Sequence, residues 1–498
     1  MQRKIPHFPK TYPAQALVGE SRRGLMGIRR RFWSLGTVLL LVYIAIAWLS
    51  QRFVYGQGHV QRPIVAFVGL YIGAWIFSMF ALWNVRGQSY RRLDVWLLMA
   101  FALLFRLTLL FSLPIQEDDF YRYLWDGKVV ASGLNPYRVA PLTVLNFGRG
   151  LSPSAESPVL AGDDAALQRF AGIAAQDDRF ALILSRVNHP AVPTVYPPLA
   201  QAVFGLAALA APGTLLVLRL VFLGFDLALC GLLVTILRHL GLNALLVLVY
   251  AWSPLVIKET INSAHYDVVP TFFLVLALLL SLRKRALLAH FSLALAILGK
   301  IYPLLLVPIF MWHTVVNHGR ARALLGAVLV IGVVTLGYVP FVAAGSMLWQ
   351  GTVVFADRWQ TNSLLFPLLR RSVGERWVAN AIVTLVLGGA LLTLLIRHDL
   401  RDERSFLWVN FLTLGLLFLL SPVANPWYFL WLVPFLCVFP LRSWLLLSGL
   451  LGLYYLWFSC LYRGAAETFR WILWLEYLPF YVGWSAEWWQ IRTARQNS

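Results

Sequence analysis

The sequence predicts an all-α protein, a polytopic transmembrane helix bundle. Three observations predict it. Hydrophobic residues make up 59% of the chain and charged residues only 13%, against about half and about a quarter in ordinary soluble domains. Apolar runs of about 20 residues, long enough to cross a bilayer, recur from end to end. Between them Lys and Arg gather in short loops, as they do where loops stay in the cytoplasm. The net charge of +20 therefore reports membrane orientation and not nucleic acid. No segment has the composition of a separate soluble catalytic domain, so any chemistry must be built from helix ends and loops.

The basic segment 1–31 carries Arg29, Arg30 and Arg31 and lacks a small-residue cleavage site before the first apolar run. It reads as a cytoplasmic tail and not as a removed signal peptide. Residues 32–93 hold two N-terminal transmembrane helices, at 32–50 and 63–83, closed by a basic loop with Arg86, Arg91 and Arg92. A central module, 94–317, begins with the run 94–113 and continues into a long outer loop, 114–196. It then takes the runs 214–236, 241–257, 263–282, 286–299 and 302–316. The C-terminal helices, within 318–498, are expected at 323–342, 377–396, 406–421, 427–440, 443–461 and 471–489.

The run 199–211 lies between Pro197-Pro198 and Pro212-Gly213. Were it to cross, every later basic loop, from Arg283-Lys284-Arg285 to Arg492 and Arg495, would fall outside. It reads as a short or re-entrant helix, which leaves about 14 spans with both termini inside. Cys230, Cys437 and Cys460 all sit in apolar runs, which implies neither a disulfide framework nor a metal site.

The densest acidic cluster of this basic chain is QEDDFYRYLWDG, residues 116–127, where the third span ends. As a helix it would place Asp119, Arg122, Tyr123 and Asp126 on one face, an amphipathic juxtamembrane helix lying along the membrane surface. Ion pairs on a solvated face would explain Arg122 and Asp126. They do not require Glu117, Asp118 and Asp119 to stand side by side. Adjacent carboxylates suit a general base whose proton affinity is raised by its neighbours, or a divalent cation.

Lys300 interrupts an apolar stretch, at an insertion cost of about 2.5–3.5 kcal/mol if it lay at the bilayer centre. A break at GKIYP, with Pro303 starting a second helix, lowers that cost. A cation at broken helix ends suits a lipid phosphate; a salt-bridged structural lysine is the alternative. Asn262, His265 and Asp267 lie in INSAHYDVVP and would hydrogen-bond a sugar or phosphate, or cap a helix. Arg219 and Asp226 are expected to pair within the bundle. Tyr196, WQTNS with Trp359 and Asn362, and ANPWYFLW with Asn425 and Trp427 offer aromatic rings and amides of the kind that hold sugars, although interface belts share that composition. No Gly-rich phosphate loop, His/Cys metal spacing or GxSxG elbow is present.

Five segments occur in a telling order: DDFYRYLWDGKVVASGLNPYRVAP, TVYPPLAQ, SPLVIKETINSAHYD, GKIYPLLLVP and ANPWYFLWLVP. Over residues 94–440 the chain resembles polytopic glycosyltransferases of the GT-C superfamily. Within it, the likeness is to bacterial polyprenol-phosphate-dependent mannosyltransferases and to the catalytic subunit of GPI mannosyltransferase I. The resemblance implies a GT-C-like catalytic module and a polyprenyl-phosphate sugar donor carrying a mannose-like hexose. It also implies a lipid or glycan acceptor and a site on the outer face of a multi-pass protein of the bacterial inner (plasma) membrane.

The family's paired acids fall on Glu117 and Asp119, with Asp118 between; this departs from a strict DxD and leaves the base open between Asp119 and Asp118. Lys300, Tyr302 and His265 match the donor-phosphate region. Asp126, Tyr196, Asp267, Trp359, Asn362, Asn425 and Trp427 are the expected substrate contacts. A divalent cation, Mg or Mn, would sit on Glu117 and Asp119 if the reaction uses one. Inverting transfer then needs a carboxylate to take the acceptor proton and a cation or positioned donors to stabilise the departing phosphate. A transporter or lipid-linked sugar flippase is the rival. It would concentrate polar residues at the midplane and show related halves, neither of which is seen. A sugar-binding subunit without catalysis is a second rival.

Overall fold

Among the described residues every regular element is helical, and the one β-type contact is a single parallel bridge between Thr361 and Val423. The computed structural model describes residues 22–85, 90–151 and 164–496. Most of the basic tail and Arg86 lie outside them. Eight described helices are long and apolar enough to cross a membrane: Arg29–Ser50, His59–Val85, Arg92–Leu110, Leu215–His239, Arg320–Ala344, Arg376–Arg397, Glu403–Leu420 and Arg442–Tyr462. A ninth is gained if Ala244–Ala251 and Pro254–Asn262, bent by 52° at their junction, form one span.

The other expected spans are short or interrupted, and prolines account for most of this. Ser253 caps the helix begun by Pro254 by accepting from Val256 N. Ala286–Gly299 ends where Lys300 turns extended, and Tyr302–Leu306, with Pro303 in its first turn, is a 3-10 segment leading into Val307–His318. Pro426–Trp431 is likewise a 3-10 turn, and Phe469–Gln496 carries Pro479 inside it. The run 199–211 forms Pro198–Ala210, the short helix expected.

The chain divides into two units. One comprises Met1–Gln116, Asp226–Asn262 and Thr361–Ser498. Buried polar ties secure it. The guanidinium of Arg106 pairs with Asp226 and donates to the carbonyls of Ala102 at 3.0 Å and Ala251 at 2.7 Å. Tyr250 donates to the same carboxylate at 2.7 Å. Asp226 thus takes its partner from the span Arg92–Leu110 and not, as expected, from its own helix. The π-turn Lys258–Asn262 is pinned where Lys258 and Glu259 both meet the Tyr455 hydroxyl. At its end Asn262 accepts from Ile115 N at 3.0 Å and donates to Ser112 Oγ and Leu113 O, each at 2.8 Å. Asn262 clamps the segment 112–115, where a helix cap or a sugar contact was expected.

The other unit comprises Glu117–Phe225 and Ser263–Gln360. Its acidic helix, Asp119–Ala131, is buried on nearly all sides, from Phe120 to Gly127 without interruption. The expectation of a surface-lying helix fails because Asp119–Ala131 packs against Pro198–Ala210 at very short range. A Cβ on Gly127 would sit 2.4 Å from the Phe204 carbonyl oxygen, and one on Gly205 2.8 Å from Val130. Gly127→Ala is therefore expected to destabilise the protein by about 1–3 kcal/mol, measured by thermal unfolding in detergent. Gly172→Ala, with nothing within 4 Å of the added carbon, should hold or gain stability. Equal behaviour of the two variants would refute the close-packing argument. Val268–Leu282 and Ala286–Gly299 form an antiparallel pair turned at Lys284, which has φ 58°, and Arg320–Tyr338 packs on the second of them.

Candidate active site

The helix that carries the acids starts later than the acidic run. Glu117 and Asp118 precede it, Asp118 at the N-cap position but with no side-chain cap, and Asp119 lies in the first turn. There the helix dipole and unpaired N–H groups favour negative charge. One side-chain amide serves both carboxylates. Asn188 Nδ2 donates to Asp118 Oδ1 at 3.1 Å and also to Asp119 Oδ1. The second oxygen of Asp119 faces Tyr196, whose hydroxyl lies 3.5 Å away and also donates to Tyr123 OH at 3.2 Å. His265 Nε2 stands 3.8 Å from that oxygen. Burial, and then the charge of Asp119, push the Asp118 carboxyl up to about 6, against the opposing hydrogen bond from Asn188.

The turn bearing Asn188 follows the short helix Asp178–Ser185. Arg122 holds it: Nη2 donates to the carbonyls of Asn188 at 3.2 Å, His189 at 3.1 Å and Val192 at 3.1 Å. Arg186 adds a bond to Tyr121 OH at 2.8 Å. Arg122 is therefore not part of a solvated ion-pair ladder, and its burial lowers its proton affinity. His189 has φ 44° and sets its ring 4.5 Å from that of Trp359; burial lowers its proton affinity too. Asp126 is buried and accepts from Gln201 Nε2 at 3.4 Å, an amide that also reaches Thr194 Oγ1 and the Tyr196 carbonyl. Burial raises the Asp126 carboxyl, with Arg122 opposing.

The segment 263–267 joins the acids to the expected phosphate region. Ala264 has φ 56°, which turns the chain so that His265 faces Asp119. Asp267 Oδ1 pairs with Lys300 Nζ at 2.6 Å. Asp267 is 2% exposed and the Lys300 side chain 19%. The Tyr302 hydroxyl lies 3.5 Å from Thr271 Oγ1, whose own hydroxyl bonds the Asp267 carbonyl at 2.7 Å.

Glu117, Asp118, Asp119, Asp126, Tyr196, His265, Asp267, Lys300, Tyr302 and Trp359 all belong to this unit. Asn362, Asn425 and Trp427 belong to the other, and each is buried there. Asn362, with φ 49°, donates to Glu476 Oε1 at 2.7 Å and to the Ala424 carbonyl at 3.3 Å. Asn425 leads into the turn Pro426–Trp431, and the Trp427 ring packs edge-on against Tyr428 and Tyr454.

A cation on Glu117 and Asp119 would have to share the Asp119 carboxylate with the N–H of Asn188. Among the described residues no group of three or more His, Cys, Asp or Glu side chains is arranged for a metal ion. The residues present are thus a poor fit for a divalent cation. Sequence reasoning passed over Asn188, His189 and Glu476. The Asn-His-Pro of residues 188–190 is a turn signal just ahead of TVYPP, but its carboxylate partners lie far off in sequence.

Two family models match parts of this chain. Residues 194–422 match the model of glycosyltransferase family 87. Residues 34–153 match the N-terminal domain of the α-(1→6)-mannopyranosyltransferase family. The chain is a GT-C-type polytopic glycosyltransferase. The second match takes in the acids at 117–119 of the transferase, and the first takes in His265, Asp267 and Lys300. The first two spans, outside the expected likeness at 94–440, fall within the mannopyranosyltransferase match. No curated protein and no solved structure matches the transferase.

Proposed function

We propose that this membrane glycosyltransferase moves mannose from a polyprenyl-phosphate carrier to a hydroxyl of a lipid or glycan acceptor. Transfer inverts the anomeric centre and takes place on the outer face of a bacterial inner membrane. One observation carries the reading. The short segment 263–267 places His265 against Asp119 and Asp267 against Lys300. Residues 265 and 267 are at most about 7 Å apart along the chain, so a single turn ties the acidic pair to the cation. The mannose assignment is supported by the family matched at 34–153, and the outer face by the gathering of Lys and Arg in the loops on the other side of the spans.

In the proposed reaction Asp119 Oδ2 takes the acceptor hydroxyl proton as the new bond forms at the sugar's anomeric carbon. The bond from that carbon to the phosphate oxygen breaks, and the polyprenyl phosphate leaves with the electron pair. Lys300 stabilises the charge that grows on the phosphate. Purified protein in detergent, given radiolabelled polyprenyl-phosphate mannose and membrane lipid or glycan acceptors, should form a labelled product. Transfer from a nucleotide sugar alone, or movement of the intact carrier across vesicles without transfer, would overturn the reading.

A further inference from the structure

The helix that carries the acids also holds the turn that carries their donor. Arg122 lies one helical turn after Asp119, and its guanidinium binds three successive-turn carbonyls, those of Asn188, His189 and Val192. Asn188 is thereby fixed at its backbone, and its amide nitrogen has two N–H groups for two acceptors, Asp118 Oδ1 and Asp119 Oδ1. An amide meets adjacent carboxylates without bringing a charge. It supplies donors that a second carboxylate could not, and it does not neutralise the pair as a lysine would. With Oδ1 of Asp119 engaged, Oδ2 is the oxygen left toward Tyr196 and His265.

We propose that Asn188 is a positioning residue for sugar transfer: its amide sets the orientation of Asp118 and Asp119, and Arg122 holds it in place. The assignment rests on the reading that these acids serve the transfer. Misplacing a reacting group by an ångström can cost about 100-fold in rate. The hydrogen bond also favours the ionised carboxylate, so its loss raises the proton affinity of the pair. Charged or titratable groups facing the pair include His265, His189, Arg122, Tyr196 and Tyr123, and all are kept in the variants at Asn188.

Asn188→Ala is expected to lower kcat about 10–100-fold and to change KM for the polyprenyl-phosphate donor by less than about two-fold. The acid limb of its pH–rate profile should move to higher pH. A residue that only supports the fold would reduce the active fraction and leave that limb where it is. An unmoved limb, or a kcat near wild type, overturns the proposal. Should Asn188→Ala fail to fold, Asn188→Ser retains one hydroxyl donor and is read by the same limb. Asp119→Asn assayed alongside separates the two readings. If it and Asp118→Asn both transfer normally, the carboxylate mechanism fails. If it is inert while Asn188→Ala keeps the wild-type limb, the role of Asn188 alone fails.

Discussion

Asp119→Asn is expected to lower the rate of transfer by about 10²–10⁴-fold, with the protein still folded. The change keeps the size of the side chain and removes its ability to accept a proton. The position is favourable for the substitution: an asparagine in the first helical turn loses a modest dipole interaction of about 0.3–1 kcal/mol, and it relieves the repulsion that Asp118 now suffers. Stability should therefore change little while kcat collapses, and thermal unfolding beside a transfer assay reads both. Asp118→Asn separates the two acids. With Asp119 as base, it should retain transfer, and its acid limb should fall below wild type because a neighbouring negative charge is gone. With Asp118 as base, that variant is the inert one. Wild-type rates in both variants would leave no role for the pair.

Much of this arrangement was legible in the residues, because composition and charge act locally. Apolar runs gave the helical class and located the eight described helices long enough to cross a membrane, fewer than the about 14 spans expected. The break at GKIYP followed from Lys300 and Pro303, and the short helix Pro198–Ala210 from its flanking prolines. What could not be read was partnership. Asp226 has Arg219 nearby in sequence, yet it pairs with Arg106 from a distant span. The periodicity of 119–126 indicates an amphipathic helix, but Gly127 and Gly205 let a second helix cover it. Asn188 carries no motif of its own; its importance arises only when the fold lays its turn across the two acids. Hydrogen-bond geometry between residues so far apart has no one-dimensional signature.

The second large effect concerns Lys300, whose pairing with Asp267 at 2.6 Å raises a question of role. A partly exposed lysine held by a buried aspartate is also what a purely structural ion pair looks like. Lys300→Met should destabilise the protein by about 3–5 kcal/mol, since it strands a carboxylate that is 2% exposed without its partner. Loss of transfer in that variant alone therefore decides nothing. Lys300→Met combined with Asp267→Leu removes both charges, and replacing a buried pair by apolar side chains often restores stability. If Lys300 grips the donor phosphate, the double variant should refold to a near-wild-type melting temperature and still use the donor poorly. A charge-assisted hydrogen bond contributes about 1.5–3 kcal/mol, so KM for polyprenyl-phosphate mannose should rise, or kcat/KM fall, by about 10–150-fold. A stable double variant that transfers with wild-type constants would make Lys300 a strut and move the phosphate site elsewhere.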